Sequence, residues 1–270
     1  MSSLRETGYA KINLALHVRR RREDEYHEIE TLFAFVDAGD ELSVEVAARD
    51  ELRVTGEFAS ALGPFGNLVA KTLGKLPRPE GWRVTLDKRL PVAAGLGGGS
   101  ADAGAVFRLM HERFNLPDDW RERAAKLGAD VPACVESRTC IGRGTGADLE
   151  PGPDDLAGTR VLLVNPRIPI ATGPVFARWN GVDRGPLPTG SAREIALAGR
   201  HDLEPPALEL CPAIGEVLDA LRETGAWLVR VTGSGATCFG LYETSAGRDD
   251  AARKLRADRP EWWQMSGALR

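Results

Sequence analysis

Residues 91–104, PVAAGLGGGSADAG, decide how the rest of the chain is interpreted. Four of residues 95–99 are glycines, and the stretch lies between a predicted strand over 82–86 and a predicted helix over 101–114. Glycine permits positive φ angles and close approach of another group, and Ser100 is the predicted N-cap of the helix. A glycine-rich loop at a helix N-terminus binds phosphate through free N–H groups and the helix dipole. The stretch therefore predicts a nucleotide triphosphate site, with a ligand-free glycine turn as the alternative.

Two common phosphate loops do not fit this stretch. A P-loop has a lysine followed by serine or threonine after its last glycine, whereas Gly99 is followed by Ser100 and Ala101. A dinucleotide fingerprint has glycines at its first, third and sixth positions, and counting from Gly95 the sixth position is Ser100. The sequence therefore indicates a phosphate loop of neither kind.

The composition is that of an ordinary globular protein. Of the 270 residues 43% are hydrophobic and 27% are charged, enough for one large or two modest domains. The net charge of −4 does not favour nucleic acid or anionic membranes as partners. No apolar run approaches the roughly 20 residues that span a bilayer, and the N-terminal MSSLRETGYAK lacks the apolar stretch of a signal peptide. The cysteines lack metal-ligand or disulfide spacing, so we expect buried reduced thiols and a cytoplasmic protein; they are Cys134, Cys140, Cys211 and Cys238.

The predicted N-terminal strand, 9–18, carries polar residues on one face. Lys11 and Asn13 share that face, and a solvated face is the usual meaning of such a pattern. The arginine run 19–22 precedes acidic residues and indicates an exposed turn, with contact to an anionic substrate as the alternative. Further elements predicted in this half are strands 32–36 and 42–46 around a turn at 37–40, strand 51–54, a helix over 68–76 that opens at Gly66-Asn67, and helix 119–127.

Asp130 has two interpretations. It precedes Val131 and Pro132 after a helix that ends at Gly128, which is typical of a surface turn acid. Its neighbours are apolar, however, and a half-buried carboxylate needs a cationic partner. Lys11 is one candidate for that partner.

The chain changes character at 149–157, LEPGPDDLA, which predicts a boundary between domains 1–155 and 156–270. The second half alternates strands and helices around a second glycine turn at 232–236, which predicts an α+β sandwich. The predicted elements are strands 160–165, 227–231, 237–241 and one near Trp262, and helices 172–179, 194–198, 213–224 and 248–256.

Three motifs in this order resemble the GHMP kinase superfamily. The first lies in the N-terminal strand, the second is 91–104, and the third is VTGSGATCFG at 231–240. Within the superfamily, several segments resemble the kinases of a cytidine-diphosphate-linked methylerythritol: YAKINLALHV, EYHEIETLF, GADVPAC, GRGTG, NPRIPIATGPVF and HDLEPPA. The resemblance extends from about residue 8 to residue 241.

The resemblance implies an α+β, two-domain GHMP-kinase fold. Its N-terminal domain would be a ribosomal-protein-S5-domain-2-like α/β domain, and its C-terminal domain a ferredoxin-like α/β sandwich. The implied reaction transfers the γ-phosphoryl group of ATP, with Mg²⁺, to the 2-hydroxyl of the cytidylyl substrate in the non-mevalonate (methylerythritol phosphate) route to isoprenoid precursors. A small-molecule substrate is expected, with neither nucleic acid nor membrane as partner, and the protein is expected to be a monomer or weak homodimer.

The resemblance also assigns residues to the site. Lys11 and Asp130 match the catalytic pair. The residues matched to ATP are Pro91, Gly95, Gly97, Gly98, Gly99, Ser100 and, on the adenine side, Asn67. The residues matched to the alcohol substrate are Asn13, Tyr26, His27, Phe33, Gly233, Ser234 and Gly235, with Tyr26 and His27 on the cytosine.

Several points stay open. Glu25 stands where the superfamily members often have glycine, and Ala101-Asp102 where they often have serine-asparagine. Asp102 in the first turn of the helix would interact well with the dipole but repel a nearby phosphate, and the alternative is that it faces Mg²⁺ or solvent. Ser100 and Asp102 are candidate metal ligands. Judged without the resemblance, Tyr26 is a core aromatic residue and His27 a surface histidine. Other functions considered are a kinase for another alcohol, such as mevalonate or homoserine, and a non-catalytic nucleotide-binding regulatory module.

Overall fold

The computed structural model describes residues 4–63 and 67–270, so the predicted helix start at Gly66 lies outside the described residues. The described chain forms two compact units. Unit 1 contains the residues up to Lys11, Ala38–Val92 and Gly97–Ser137, and unit 2 contains Ile12–Asp37, Ala93–Leu96 and Arg138–Arg270. Strands β1 (Leu4–Arg21) and β2 (His27–Ala47) pair with each other, and each runs from one unit into the other. The division into 1–155 and 156–270 stays a prediction.

Unit 1 is a sheet with helices packed on its apolar face. The C-terminal part of β2 pairs antiparallel with β4 (Gly81–Asp87), and β3 (Glu51–Thr55) pairs parallel with β4. Alternate residues of β4 are buried, namely Trp82, Val84 and Leu86, as the period of a strand requires. A short 3₁₀ helix covers Ala59–Ala61, and the helices are α1 (Leu68–Leu73), α2 (Gly98–Phe114), α3 (Trp120–Leu127) and α4 (Val131–Glu136).

A glycine lets α2 and α4 pack at short range. A Cβ added to Gly104 of α2 would collide with the backbone carbonyl of Cys134 in α4. Only a residue without a side chain permits this approach. Because α4 begins directly after Asp130, the close packing of the two helices fixes the position of that carboxylate.

Replacing Gly104 with valine is expected to lower the free energy of unfolding by about 1–3 kcal/mol, because the added atoms overpack a close helix contact. Chemical denaturation of the purified protein measures the change. Glu112→Val, on the exposed side of the same helix, is the matched control and should alter stability by less than about 0.5 kcal/mol. Equal stability of Gly104→Val and the parent protein would contradict the packing described above.

Unit 2 contains the second sheet and the remaining helices. The N-terminal part of β2 pairs antiparallel with β5 (Cys140–Arg143), which pairs antiparallel with β6 (Asp148–Pro151). A separate antiparallel sheet has the order β10-β7-β9-β8. Its strands are β7 (Arg160–Asn165), β8 (Leu228–Val231), β9 (Cys238–Tyr242) and β10 (Trp263–Ala268). The helices of unit 2 are α5 (Thr172–Ala177), α6 (Ala192–Ala198), α7 (Glu204–Leu210), α8 (Ala213–Arg222) and α9 (Ser245–Asp258).

The turn predicted at 37–40 is wrong, because β2 continues through it without a break. Its acidic residues are acceptors for the ends of other segments instead. Asp37 accepts a hydrogen bond from the Ala268 N–H at 2.7 Å, and Asp40 accepts from the N–H groups of Arg89 and Leu90. The acidic residues that suggested a turn at 37–40 are instead acceptors for hydrogen bonds from distant parts of the chain.

The solvated face predicted for β1 is also wrong. Lys11, Asn13 and His17 on that face are all buried. The exposed turn predicted for the arginine run is partly wrong, since β1 extends to Arg21. Arg19 there pairs with Glu30 at 2.5 Å and with Asp183 at 3.0 Å.

Two further expectations can be compared with the structure. All four cysteines are buried free thiols, as predicted. Within the described residues, no helix is both long enough and apolar enough to cross a membrane. The sequence interpretation missed α4, α7, β5 and β6, and it extended α1 beyond Leu73.

Candidate active site

The three glycines at 97–99, which belong to unit 1, lead into the first turn of α2. The N-cap predicted at Ser100 is wrong: Gly97 occupies that position with φ 63°, in the left-handed region that favours glycine. The helix begins at Gly98, and its first regular bond runs from the Ala101 N–H to the Gly97 carbonyl at 2.8 Å. Gly98, Gly99 and Ser100 are thus first-turn residues, whose N–H groups have no acceptor within a helix. This helix end is suited to bind an anion.

Lys11 lies beside this loop and pairs with Asp130. Its Nζ is 3.0 Å from Asp130 Oδ2, which confirms the predicted partner. The Lys11 side chain is 5% exposed, whereas that of Asp130 is 35% exposed, so the carboxylate can meet a ligand while the ammonium stays enclosed. A Cβ on Gly97 would lie 3.0 Å from Lys11 Cε, so the loop backbone packs directly on the lysine.

The start of α4 orients Asp130. The residue stands at the N-cap position with helical φ and ψ, and Pro132 occupies the first turn. Its carbonyl accepts from the Cys134 N–H at 3.0 Å, but its side chain makes no capping bond. The carboxylate is therefore directed to Lys11 instead of to its own helix. The prediction that Asp130 is an acidic residue in a turn is therefore correct for its backbone. It does not account for the side chain, which pairs with Lys11.

Asp102 is neither in the first turn of α2 nor open to solvent, so both positions considered for it are wrong. It lies in the second turn of α2, is 3% exposed, and accepts from Lys88 Nζ at 2.8 Å. Burial raises the pKa of Asp102 to about 8, against the attraction of Lys88. The described residues contain no group of three or more acidic, histidine or cysteine side chains arranged for a metal ion. Ser100 remains a candidate, with its hydroxyl 3.9 Å from the Cβ position of Gly128.

The remaining residues matched to ATP in unit 1 have structural contacts of their own. Asn67 caps α1, because its Oδ1 accepts from the Val69 N–H at 2.8 Å. Pro91 is buried directly before the loop. The adenine-side role of Asn67 stays a prediction.

In unit 2, Asn13 holds the third glycine motif. Its Oδ1 accepts from the Gly233 N–H at 3.1 Å, and its Nδ2 donates to Thr31 Oγ1 at 2.8 Å. Its own N–H donates to Thr232 Oγ1 at 3.1 Å. Asn13 therefore fixes the turn at 232–235, whatever else it contacts.

A side chain at Gly95 or Gly233 would collide with the backbone of the other glycine motif. Gly95 has φ 79°, and a Cβ there would collide with the Thr232 carbonyl. Gly233 has φ 56°, and its Cβ would lie 2.6 Å from the Gly95 carbonyl oxygen. Ser234 in the same turn shares a hydrogen bond of 3.2 Å with Thr172, and Gly235 follows with φ 83°. The second and third motifs thus meet backbone to backbone within unit 2.

The structure reverses the burial expected for Tyr26 and His27 when they are judged without the resemblance. Tyr26 is 63% exposed and His27 is 7% exposed, so the core-aromatic and surface-histidine interpretations are both wrong. The His27 ring lies 5.0 Å from Phe176 and 5.8 Å from Trp179, centroid to centroid. Arg21 Nε is 3.5 Å from His27 Nε2. Burial and this guanidinium lower the pKa of His27, so its ring is neutral at pH 7.

Two neighbours complete this segment. Glu25 has φ 68°, which explains why a glycine is suited to the position before Tyr26. Phe33 is fully buried in β2, and a Cβ on Gly142 would lie 2.6 Å from its ring. Phe33 thus supports the segment from the core, and its contact with substrate stays a prediction.

Sequence reasoning missed Lys88 and Asp40, which form a buried ion pair beneath the loop. The sequence offered little signal, because Lys88 stands between the charged residues Asp87 and Arg89 and does not stand out from them. It also missed Thr31 and Thr232, the two hydroxyls that anchor Asn13.

The sequence matches two family models. Residues 65–138 match the GHMP kinases N terminal domain, and residues 189–260 match GHMP kinases C terminal. A protein of Novosphingobium aromaticivorans named 4-diphosphocytidyl-2-C-methyl-D-erythritol kinase is 69% identical over 99% of this chain and 93% of its own length. A relative of the same name from Erythrobacter litoralis is 62% identical, covering 98% of both chains. The chain belongs to the 4-diphosphocytidyl-2-C-methyl-D-erythritol kinase family.

Solved structures agree with this family. A crystal structure of 4-(cytidine 5'-diphospho)-2C-methyl-D-erythritol kinase has a TM-score of 0.83 and 34% identity, covering 98% of this chain and 99% of its own. A homoserine kinase from Cytophaga hutchinsonii has a TM-score of 0.62 at 14% identity, covering 100% of this chain and 95% of its own, which shows the shared fold alone. The predicted α+β GHMP-kinase fold is therefore confirmed. As a GHMP kinase of the 4-diphosphocytidyl-2-C-methyl-D-erythritol kinase family, the protein is an enzyme with ATP as its co-substrate.

Proposed function

We propose that the protein transfers the γ-phosphoryl group of ATP to the 2-hydroxyl of 4-diphosphocytidyl-2-C-methyl-D-erythritol, giving the 2-phosphate and ADP in the non-mevalonate route to isoprenoid precursors. The observation that carries the proposal is the Lys11–Asp130 pair at 3.0 Å with Gly97 packed against the lysine. Relatives at 69% and 62% identity that bear the name of this kinase support the choice of substrate.

Asp130 is the proposed general base. Its carboxylate is half-buried and pairs with Lys11 at 3.0 Å. It orients the 2-hydroxyl and accepts its proton while that oxygen forms a bond to the γ-phosphorus. The bond from the γ-phosphorus to the oxygen that bridges to the β-phosphate breaks, and ADP leaves with the bonding electrons. Positioned proton transfer of this kind contributes typically about 10²–10⁴-fold to a rate.

Lys11 is proposed to stabilise charge on the transferred group, and the start of α2 is proposed to hold the triphosphate. Phosphoryl transfer has a loose transition state, so catalysis depends on positioning and electrostatics. The first-turn N–H groups of Gly98, Gly99 and Ser100 supply oriented dipoles for the triphosphate, and Lys11 supplies a fixed positive charge.

Mg²⁺ is proposed to accompany ATP. In kinases this ion is held largely by substrate phosphates with one or two protein oxygens, so a cluster of three acids is not required. The Ser100 hydroxyl in the first turn of α2 fits such a role, whereas Asp102 does not, because it is buried against Lys88. When bound, the ion would neutralise charge on the β and γ oxygens.

Tyr26 and His27 are proposed to recognise cytosine. The exposed Tyr26 ring offers a face for stacking, and the neutral His27 ring offers a hydrogen-bonding edge held against Phe176 and Trp179. Arg21 next to His27 Nε2 favours a tautomer with the hydrogen on Nδ1. The base would therefore meet a hydrogen-bond donor at Nδ1.

Replacing His27 with phenylalanine keeps an aromatic ring and removes its hydrogen bonds. The KM for the cytidylyl substrate should rise about 10–100-fold, the usual cost of a lost hydrogen bond in a site built around it, with the KM for ATP unchanged. His111→Phe, on the exposed side of α2, is the matched control. Because the pKa of His27 is lowered, the parent's KM for this substrate should stay constant from pH 9 to about 6.5 and rise only below that pH. An unchanged KM in His27→Phe would remove this residue from the site.

A coupled ADP-release assay tests the proposal as a whole. We expect turnover with 4-diphosphocytidyl-2-C-methyl-D-erythritol and none with mevalonate or homoserine. Turnover on one of the other alcohols would make the protein a different GHMP kinase. ATP binding without turnover on any alcohol would favour a regulatory module, against which the intact Lys11–Asp130 pair argues.

We further propose that the protein is cytoplasmic, which the four buried free thiols support. We also propose that it acts as a monomer or weak homodimer.

A further inference from the structure

A buried charged cluster lies beneath the phosphate loop of unit 1. Lys88, directly after β4, donates from Nζ to Asp40 of β2 and, at 2.8 Å, to Asp102 of α2. All three side chains are buried. Asp40 Oδ1 accepts in addition from the N–H groups of Arg89 and Leu90 at 2.7 and 2.8 Å. The Lys88 ammonium therefore joins α2 to the interior of β2, and Asp40 also binds the backbone that leads from β4 into the loop.

The cluster is in contact with the helix end that would bind phosphate. A Cβ on Gly98, the first residue of α2, would lie 3.1 Å from Lys88 Nζ. Asp102 is one helical turn further along α2. The Lys88–Asp102 bond therefore fixes the height of the first turn above the sheet, and with it the direction of the N–H groups of that turn.

The cluster contains one more acidic side chain than is needed to pair with Lys88. One ammonium and one carboxylate would already form a neutral pair, yet a second carboxyl group, that of Asp102, is buried with them. Within the described residues Asp102 Oδ1 has no hydrogen-bond partner, and it points to Gly8 of β1, where a Cβ would lie 2.8 Å away. A buried polar atom without a partner is costly, so a role for Asp102 other than stability accounts better for its presence.

We propose that Lys88 and Asp102 are positioning residues for the triphosphate of ATP, holding the first turn of α2 in the orientation that its N–H groups need for binding. The inference rests on the proposed function, since it assumes that ATP binds at this helix end. Groups that bind a ligand must be held within about 0.5 Å of their working geometry, and loss of a supporting contact loosens them. The effect is expected on the affinity for ATP and not on the chemical step.

The test compares two substitutions of Asp102. Asp102→Leu has similar size and leaves the Lys88–Asp40 pair intact, but it cannot accept from Lys88. Its dissociation constant for ATP with Mg²⁺, measured by calorimetry without alcohol, should rise about tenfold, as for the loss of one charged hydrogen bond. Its kcat at saturating ATP and its KM for the alcohol should stay within about twofold of the parent. Asp102→Asn keeps an acceptor oxygen and should bind ATP within about twofold of the parent. Asp102→Ala replaces Asp102→Leu if the leucine variant does not fold, with the same shift expected.

Arg108→Met provides the control for general loosening of the helix. Arg108 lies on α2 further from the loop and donates to the carbonyls of Cys134 and Thr7, both at 2.6 Å. Its loss disturbs the same helix without touching the Lys88 cluster, so the dissociation constant for ATP should not change. An equal rise in Arg108→Met, or unchanged binding in Asp102→Leu, would overturn the inference. A parent protein that binds no ATP would refute the proposed function, which is a separate outcome.

Discussion

Replacing Asp130 with asparagine is expected to lower kcat by about 10²–10⁴-fold while the dissociation constant for ATP stays within about threefold. The amide keeps the size of the carboxylate but cannot accept the proton of the alcohol. Binding of the triphosphate depends on the first turn of α2, which the substitution leaves in place. Steady-state kinetics with the cytidylyl substrate and calorimetry with ATP measure the two quantities separately.

Glu136→Gln is the matched control for Asp130→Asn. Glu136 lies at the other end of α4 and pairs at 2.8 Å with the exposed Arg121. The substitution therefore also removes a carboxylate near this helix. Exposed ion pairs contribute little, and this variant should keep the kcat of the parent. Full activity in Asp130→Asn would show that the base is a different residue. Equal losses in both variants would indicate that charge near α4, and not the base, is responsible.

Replacing Lys11 with methionine is expected to lower kcat by about 10²–10³-fold, the usual cost of losing one group that stabilises transition-state charge. The methionine retains the apolar stem on which Gly97 packs, so the loop keeps its support. The Asp130 carboxylate, at 35% exposure, can be hydrated in the absence of the ammonium. The variant should therefore fold, which thermal denaturation can check.

The double variant Lys11→Met/Asp130→Asn separates two roles for the lysine. If Lys11 acts partly through Asp130, the losses are not additive, and the double variant should be little slower than Asp130→Asn alone. Fully additive losses would mean that the two residues act independently. Single-turnover measurements with enzyme in excess avoid complications from product release.

Local patterns allowed much of the fold to be predicted. The strand before the loop, predicted over 82–86, is β4 at Gly81–Asp87, and the strand predicted over 160–165 is β7 with the same bounds. The glycine motifs include positions that favour glycine, since Gly95, Gly97, Gly233 and Gly235 have positive φ angles and a Cβ on Gly95 or Gly233 would collide with backbone atoms. The Lys11–Asp130 pair was a candidate because a half-buried acid needs a cation.

Features fixed by distant parts of the chain could not be predicted. Residues 37–40 have the composition of a turn, yet they continue β2 because Asp37 and Asp40 accept hydrogen bonds from segments far along the sequence. The polar face of β1 suggested solvent exposure, but its polar residues are buried against partners that only the folded chain brings near. Charge alone could not tell that Asp102 meets Lys88.

The most direct test of the central claim follows the phosphorus nuclei of the reaction by NMR. With ATP, Mg²⁺ and 4-diphosphocytidyl-2-C-methyl-D-erythritol, the parent protein should form one new phosphomonoester for each ADP released, with the cytidine diphosphate signals retained. Lys11→Met and Asp130→Asn should form it far more slowly while still binding ATP. ADP release without a phosphomonoester on this substrate, or parent-like rates in both variants, would contradict the account.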